Sequence, residues 1–163
     1  MNYQTSTPNP PDANWVSYTQ AGNQKMQENE PELACYFYEQ AFSIAEERIA
    51  TNPTQWENPD LIHLYIIAGN NLADSYVAFG RTDDAETKLL ASYHRAIAIM
   101  KDHQLPWSIR EEAYNGFQQV FRHLINFYQQ TDQQESLAAI TEQSKQESQC
   151  FMEELMSPSR PNF

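Results

Sequence analysis

Glycine, cysteine and positive charge are all scarce in this chain, and each scarcity narrows what it can do. Four glycines in 163 residues leave no glycine-rich loop to cradle a phosphate. The two cysteines, Cys35 and Cys150, are far apart and show no paired metal-type spacing. They read as free thiols on helices, not as a disulfide framework or a zinc site. Ten Lys and Arg stand against 22 Asp and Glu, for a formal charge of −12. That charge repels phosphate backbones and anionic lipid, so no nucleic acid and no membrane surface is expected as a partner, while a basic or amphipathic protein segment is electrostatically easier. No run approaches the roughly 18 apolar residues needed to cross a bilayer. The start, MNYQTSTPNPPDAN, has neither a positive end nor an apolar stretch, so a cytoplasmic location is expected.

Catalytic signatures are missing as well. His63, His94, His103 and His123 are scattered, without the two-ligand helical spacing of HExxH, and neither a serine elbow nor a Cys-His motif is present. Adjacent acids such as Glu46-Glu47 and Glu111-Glu112 diverge by about 100° on a helix and read as solvated faces. A protein without enzymatic activity, metal or cofactor is the expectation.

What the chain does have is helical periodicity punctuated by nine prolines. Residues 1–11 are polar and proline-rich and are expected to be a disordered tail. A first helix is expected from about Asp12 to Glu28. Asn29, Pro31 and Glu32 read as the capped start of a second, reaching Ala50, with Leu33, Ala34, Phe37, Tyr38, Ala41, Ile44 and Ala45 on its buried face. A proline-bearing connector from Thr51 to Pro59 leads through Asn58-Pro59 into a third helix that Gly80 ends near Phe79. Thr82 or Asp83 caps a fourth, which carries Ala85, Leu89, Leu90, Tyr93, Ile97 and Met100 and closes before Asp102. Pro106, or Ser108 with Glu111 as a capping box, opens a fifth that runs to Gln130. Asp132 with Glu135 opens a sixth, which fades near Met156 into a polar tail, residues 157–163. Trp56 and Trp107, each close to a proline before a long helix, are expected to pack the connectors over the core.

Small and large residues recur across this helical pattern. Gly22, Ala34, Tyr38 and Ala41, with Tyr18 one turn before Gly22, are followed by Ala73, Tyr76, Gly80, Ala85 and Leu89, then by Ile125, Tyr128, Asp132 and Leu137. The stretch Tyr18 to Ala45 resembles a tetratricopeptide repeat, and its recurrence turns one weak match into an architecture. Positions 22, 73 and 125 are 51 and 52 residues apart. The family's unit is about 34 residues, so each copy carries roughly 17 more, a length that longer helices fit better than a loop. The resemblance implies an all-α, right-handed helical-repeat solenoid of three antiparallel helix pairs, one domain over residues 12–156 with repeats near 12–50, 58–101 and 106–156. The polar run Thr141 to Gln149 suits a final capping helix.

In that family the first helix of each pair lines a concave surface that takes the ligand. Carried over, this implies a peptide-binding groove of Thr19, Asn23, Met26 and Gln27, then His63, Ile67, Asn70, Asp74 and Val77, then Gln119, Arg122, Asn126 and Gln129. Its asparagines and glutamines suit a peptide backbone, since each amide both donates and accepts. The family's chaperone-tail-binding members hold a terminal carboxylate with two asparagines and several cations. Asn23 and Asn71 match, but Thr19 and Gln119 stand where lysines belong and His123 where an arginine belongs, so carboxylate capture is not implied. The function expected is a non-enzymatic interaction module or adaptor for a peptide or helix of another protein. The alternatives are a small acidic chaperone, a ligand-sensing regulator, or a homodimer assembled through Phe151, Met152, Leu155 and Met156, which otherwise fold back on the fifth helix.

Overall fold

A computed structural model describes residues 13–51 and 60–157. It contains six helices: α1 (Ala13–Gln27), α2 (Pro31–Ile49), α3 (Leu61–Ala78), α4 (Thr82–Met100), α5 (Trp107–Gln130) and α6 (Gln134–Met156). Each packs on the next, and α3 also packs on α5. The fold is all-α, three antiparallel helix pairs stacked as a helical-repeat solenoid, with no strand among the described residues. The expected tail at 1–11, the Asp12 cap, most of the Thr51–Pro59 connector with Trp56 and Asn58-Pro59, and the C-terminal tail beyond Ser157 lie outside the described residues. No helix among the described residues is long and apolar enough to cross a membrane.

The repeat is written most clearly in the backbone. Among the described residues three have positive φ: Asn29 at 59°, Gly80 at 81° and Asp132 at 53°. They stand at the turns inside the three pairs, and their spacing reproduces the 51- and 52-residue intervals. At each turn the following amide reaches back five residues: Glu30 N to Lys25 O, Arg81 N to Tyr76 O, and Gln133 N to Tyr128 O, at 2.7–2.9 Å. This is the Schellman closure, which satisfies carbonyls that a helix end leaves open. The next helix then starts identically, with Ala34 N, Ala85 N and Leu137 N bonding to Glu30 O, Arg81 O and Gln133 O.

Small residues set the spacing between helices. A Cβ on Gly22 would lie 2.4 Å from Cε1 of Tyr38, so the Tyr38 ring of α2 rests directly on the α1 backbone. Gly116 does the same between α5 and α3, where its missing Cβ would touch Ile62 and Ile66 at 3.4 Å. Ala34, Ala41, Ala85, Ala96 and Ala113 are fully enclosed. The core runs continuously from Trp15 to Phe151, and each fully buried Leu, Ile or Phe contributes about 1.5–3 kcal/mol relative to exposure.

Polar ties join successive pairs. Tyr76 Oη donates to Glu39 at 2.7 Å and Tyr128 Oη donates to Glu86 at 2.8 Å, each linking the end of one pair's first helix to the preceding second helix. Burial first, then the accepting carboxylate, pushes both phenols well above the usual tyrosine range. Tyr93 and Ser144 bond at 2.8 Å inside the core, between α4 and α6. Arg110 binds Glu154 of α6 through both terminal nitrogens at 2.6 Å, while its Nε donates to Met100 O at the end of α4.

Several local expectations are corrected. Asn29 is not an N-cap but the left-handed terminus of α1. The cap positions of α2, α4, α5 and α6 are Glu30, Arg81, Pro106 and Gln133, none with a side-chain cap bond. At α2, α4 and α6 the backbone closure already takes the N-cap N–H that the returning side chain of a capping box would bind. Leu33 is 47% exposed, because α2 is packed on two sides by α1 and α3. Its buried set turns instead toward Cys35, Phe42 and Ile49.

Candidate functional site

The first helices of the second and third pairs lie side by side. His63 Nε2 meets Glu112 Oε2 at 2.6 Å, and Asp74 Oδ1 meets His123 Nε2 at 2.7 Å. Both pairs share one register, an offset of 49 residues, so α3 and α5 run parallel. The two rungs stand roughly 16 Å apart along the helices at 1.5 Å per residue. An ionised carboxylate only accepts, so each imidazole places its Nε2 proton in the bond. Glu112 is therefore not simply a solvated acid, as its sequence neighbour Glu111 is.

Beyond the second rung the helices part into a cleft of about 350 Å³. Asp74 of α3 and His123, Asn126 and Gln130 of α5 supply its polar lining. Ala73, Val77, Ala78, Leu89 and Phe127 complete an apolar lining. Leu89 reaches it from α4, which closes the floor. None of these side chains carries a hydroxyl, thiol or amine, so the cleft offers one charge, an imidazole, two amides and hydrocarbon.

Three of the thirteen groove positions, Asp74, Val77 and Asn126, line this cleft together. On α1, Thr19 is half-buried with its Oγ1 enclosed and unpartnered. Asn23 accepts from Tyr38 Oη at 2.7 Å, Met26 packs against the core and Gln27 is exposed. None of the four reaches the cleft. On α3, Ile67 is half-buried against the core. Asn70 is a correction: it is 7% exposed with its Oδ1 unpartnered, enclosed within the packing and not open to a groove. On α5, Gln119 is half-buried, while Arg122 and Gln129 are exposed and lie outside the lining. Sequence reasoning considered His123 only as a misplaced clamp residue, and it missed Leu89, Phe127 and Gln130 as walls. The 49-residue register that pairs Asp74 with His123 could have suggested the first, since it differs little from the repeat length.

The C-terminal cluster divides. Phe151 is 4% exposed and stacks on Tyr114 at 4.5 Å and on Trp107 at 5.0 Å. It has folded back on α5 and is not available to a second copy. Met152 and Leu155 are half-buried, and Met156 is 75% exposed. Trp107 thus packs the start of α5, while Cys35 is buried, its thiol pushed up by that burial, and Cys150 is exposed.

A family model described as "Protein of unknown function (DUF2753)" matches residues 13–160, a span that takes in all six helices, and the chain belongs to that family. No curated protein and no solved structure matches it.

Proposed function

We propose that this DUF2753 chain is a non-enzymatic, tetratricopeptide-like interaction module of the cytoplasm, which holds a peptide or helical segment of another protein along the face built by α1, α3 and α5. The observation that carries the reading is the cleft between α3 and α5, where Asp74, Val77 and Asn126 meet. Open amides at Asn126 and Gln130 offer paired donors and acceptors to a peptide backbone, and the apolar wall of Val77, Leu89 and Phe127 gives a side chain a place to be buried. A site of this kind concentrates affinity near its centre. Arg122 and Gln129, exposed on α5, extend the contact beyond the cleft.

The test is site-specific photocrosslinking in lysate of the source organism. A crosslinker at Gln129 is expected to trap a partner that a crosslinker at Glu47, exposed on α2, does not. Asn126→Trp in the first protein, which fills the cleft, should abolish the product with helical content unchanged. Identical products from both positions, or products only with the protein itself, would overturn the groove reading.

A further inference from the structure

Charge around the α3–α5 cleft is one-sided. Asp74 is the one residue of formal charge in its lining, and its side chain is 56% exposed. His123 engages Oδ1 alone, which leaves Oδ2 to accept. The nearby cations of the second pair are turned elsewhere: Lys88 Nζ lies 4.4 Å over the Phe42 ring, and Arg81 is held by Asp84 at 2.8 Å and stacks on Tyr76. Arg122 is exposed outside the lining.

Size and shape select further. At about 350 Å³ the cleft stands at the lower end of small-ligand sites, roughly 300–1,000 Å³, enough for one long side chain. Its apolar walls suit an aliphatic stem, and a half-exposed carboxylate in a lining that also holds the amides of Asn126 and Gln130 suits several donors fanned from one head. Arginine presents that combination: a hydrocarbon stem and five N–H donors in a planar, permanently charged fork. A chain of formal charge −12 raises the local concentration of such a ligand before contact.

Resting on the groove reading above, we infer that the cleft is a specificity pocket for an arginine side chain of the partner segment, with Asp74 as its counter-ion and Asn126 and Gln130 as further acceptors. The partner is then a basic peptide or helix. An acidic or phosphorylated segment is turned away by Asp74.

A random peptide library is to be selected on the full chain, on Asp74→Asn, which keeps the shape and removes the charge, and on Asn126→Trp, which fills the cleft. Peptides retained by the wild type should be enriched in arginine. Replacing that arginine by citrulline should weaken binding about tenfold, or roughly 1.4 kcal/mol, and Asp74→Asn should erase the preference. Peptides lost on Asn126→Trp but showing no arginine enrichment would overturn the cation assignment and leave the groove reading standing. Selection that gives no peptide sensitive to Asn126→Trp would overturn both. Unchanged circular dichroism in both variants confines the result to the site.

Discussion

Arg110 ties three helices together through one buried side chain. It is 5% exposed, yet its bonds to Glu154 and to Met100 O fasten α6 and the end of α4 to the start of α5, and its guanidinium lies 5.2 Å over the Trp107 ring. The Arg110 hydrogen bonds hold the Glu154 carboxyl below its ordinary value of 4.5. In the unfolded chain Glu154 takes up its proton at that ordinary value, so between the two the unfolded state binds more protons and stability rises with pH. The contribution is present above about pH 4.5 and is lost as pH falls through the lowered folded value. Glu154→Gln should remove that part of the acid dependence and, because a buried guanidinium loses its partner while Glu154 itself stays partly solvated, cost roughly 1–3 kcal/mol at neutral pH. Urea unfolding of both proteins at pH 3 and pH 7 checks it; equal acid sensitivity would sink the assignment. Gly22 makes a second prediction at this scale. Alanine there drives a methyl into Tyr38, and overpacking of this kind costs about 1–3 kcal/mol, readable as a lower urea midpoint with an unchanged slope.

The elements show which parts of the sequence speak for themselves. Helix number and ends were readable because apolar periodicity, proline and Gly80 are local signals: the bounds of α2 to α6 fall within two residues of the expected ones. Capping was misread, since Asn29-Glu30-Pro31-Glu32 fits both an N-terminal box and a left-handed terminus, and only the path of the chain decides between them. The cleft was half readable. Position in the repeat located Asp74, Val77 and Asn126, but whether a groove side chain meets solvent, like Arg122, or disappears into packing, like Asn70, depends on how closely α3 and α5 approach. Gly116 against Ile62 and Ile66 sets that distance, and such a pairing leaves no periodic trace. The turns supply a prediction in two directions. Gly80 has φ of 81° with nothing near its missing Cβ, so Gly80→Ala costs about 1 kcal/mol through backbone strain alone. Asp132 sits in the same conformation, where Asp132→Gly should stabilise by roughly 0.5–1 kcal/mol. Thermal melts of both variants check the opposite signs.

At the scale of the molecule, burial is concentrated in the middle of the stack. Ten residues of α3 and nine of α5 are buried, against two of α1 and three of α6. The buried positions of α6, Ile140, Ser144 and Phe151, form one narrow stripe, as befits a helix whose other face closes the end of the solenoid. Because each pair touches mainly its neighbours, stability is close to a sum of local terms, and opening starts at the ends. Native-state hydrogen exchange should therefore be graded: amides of α1 and α6 exchange through partial openings of low free energy, while those of α3, α4 and α5 exchange only with global unfolding. The Arg110–Glu154 pair is a two-bond polar lock on α6, so Glu154→Gln should speed exchange across α6 and leave α3 almost unchanged. Uniform protection from α1 to α6, or equal acceleration in both helices, would mean that the stack unfolds as one unit. The graded outcome bears on binding, since it leaves the α3–α5 cleft on the part of the molecule that stays folded while the ends open. A segment docking there as proposed would then meet a backbone already ordered, with only exposed side chains such as Asn126 and Gln130 left to immobilise.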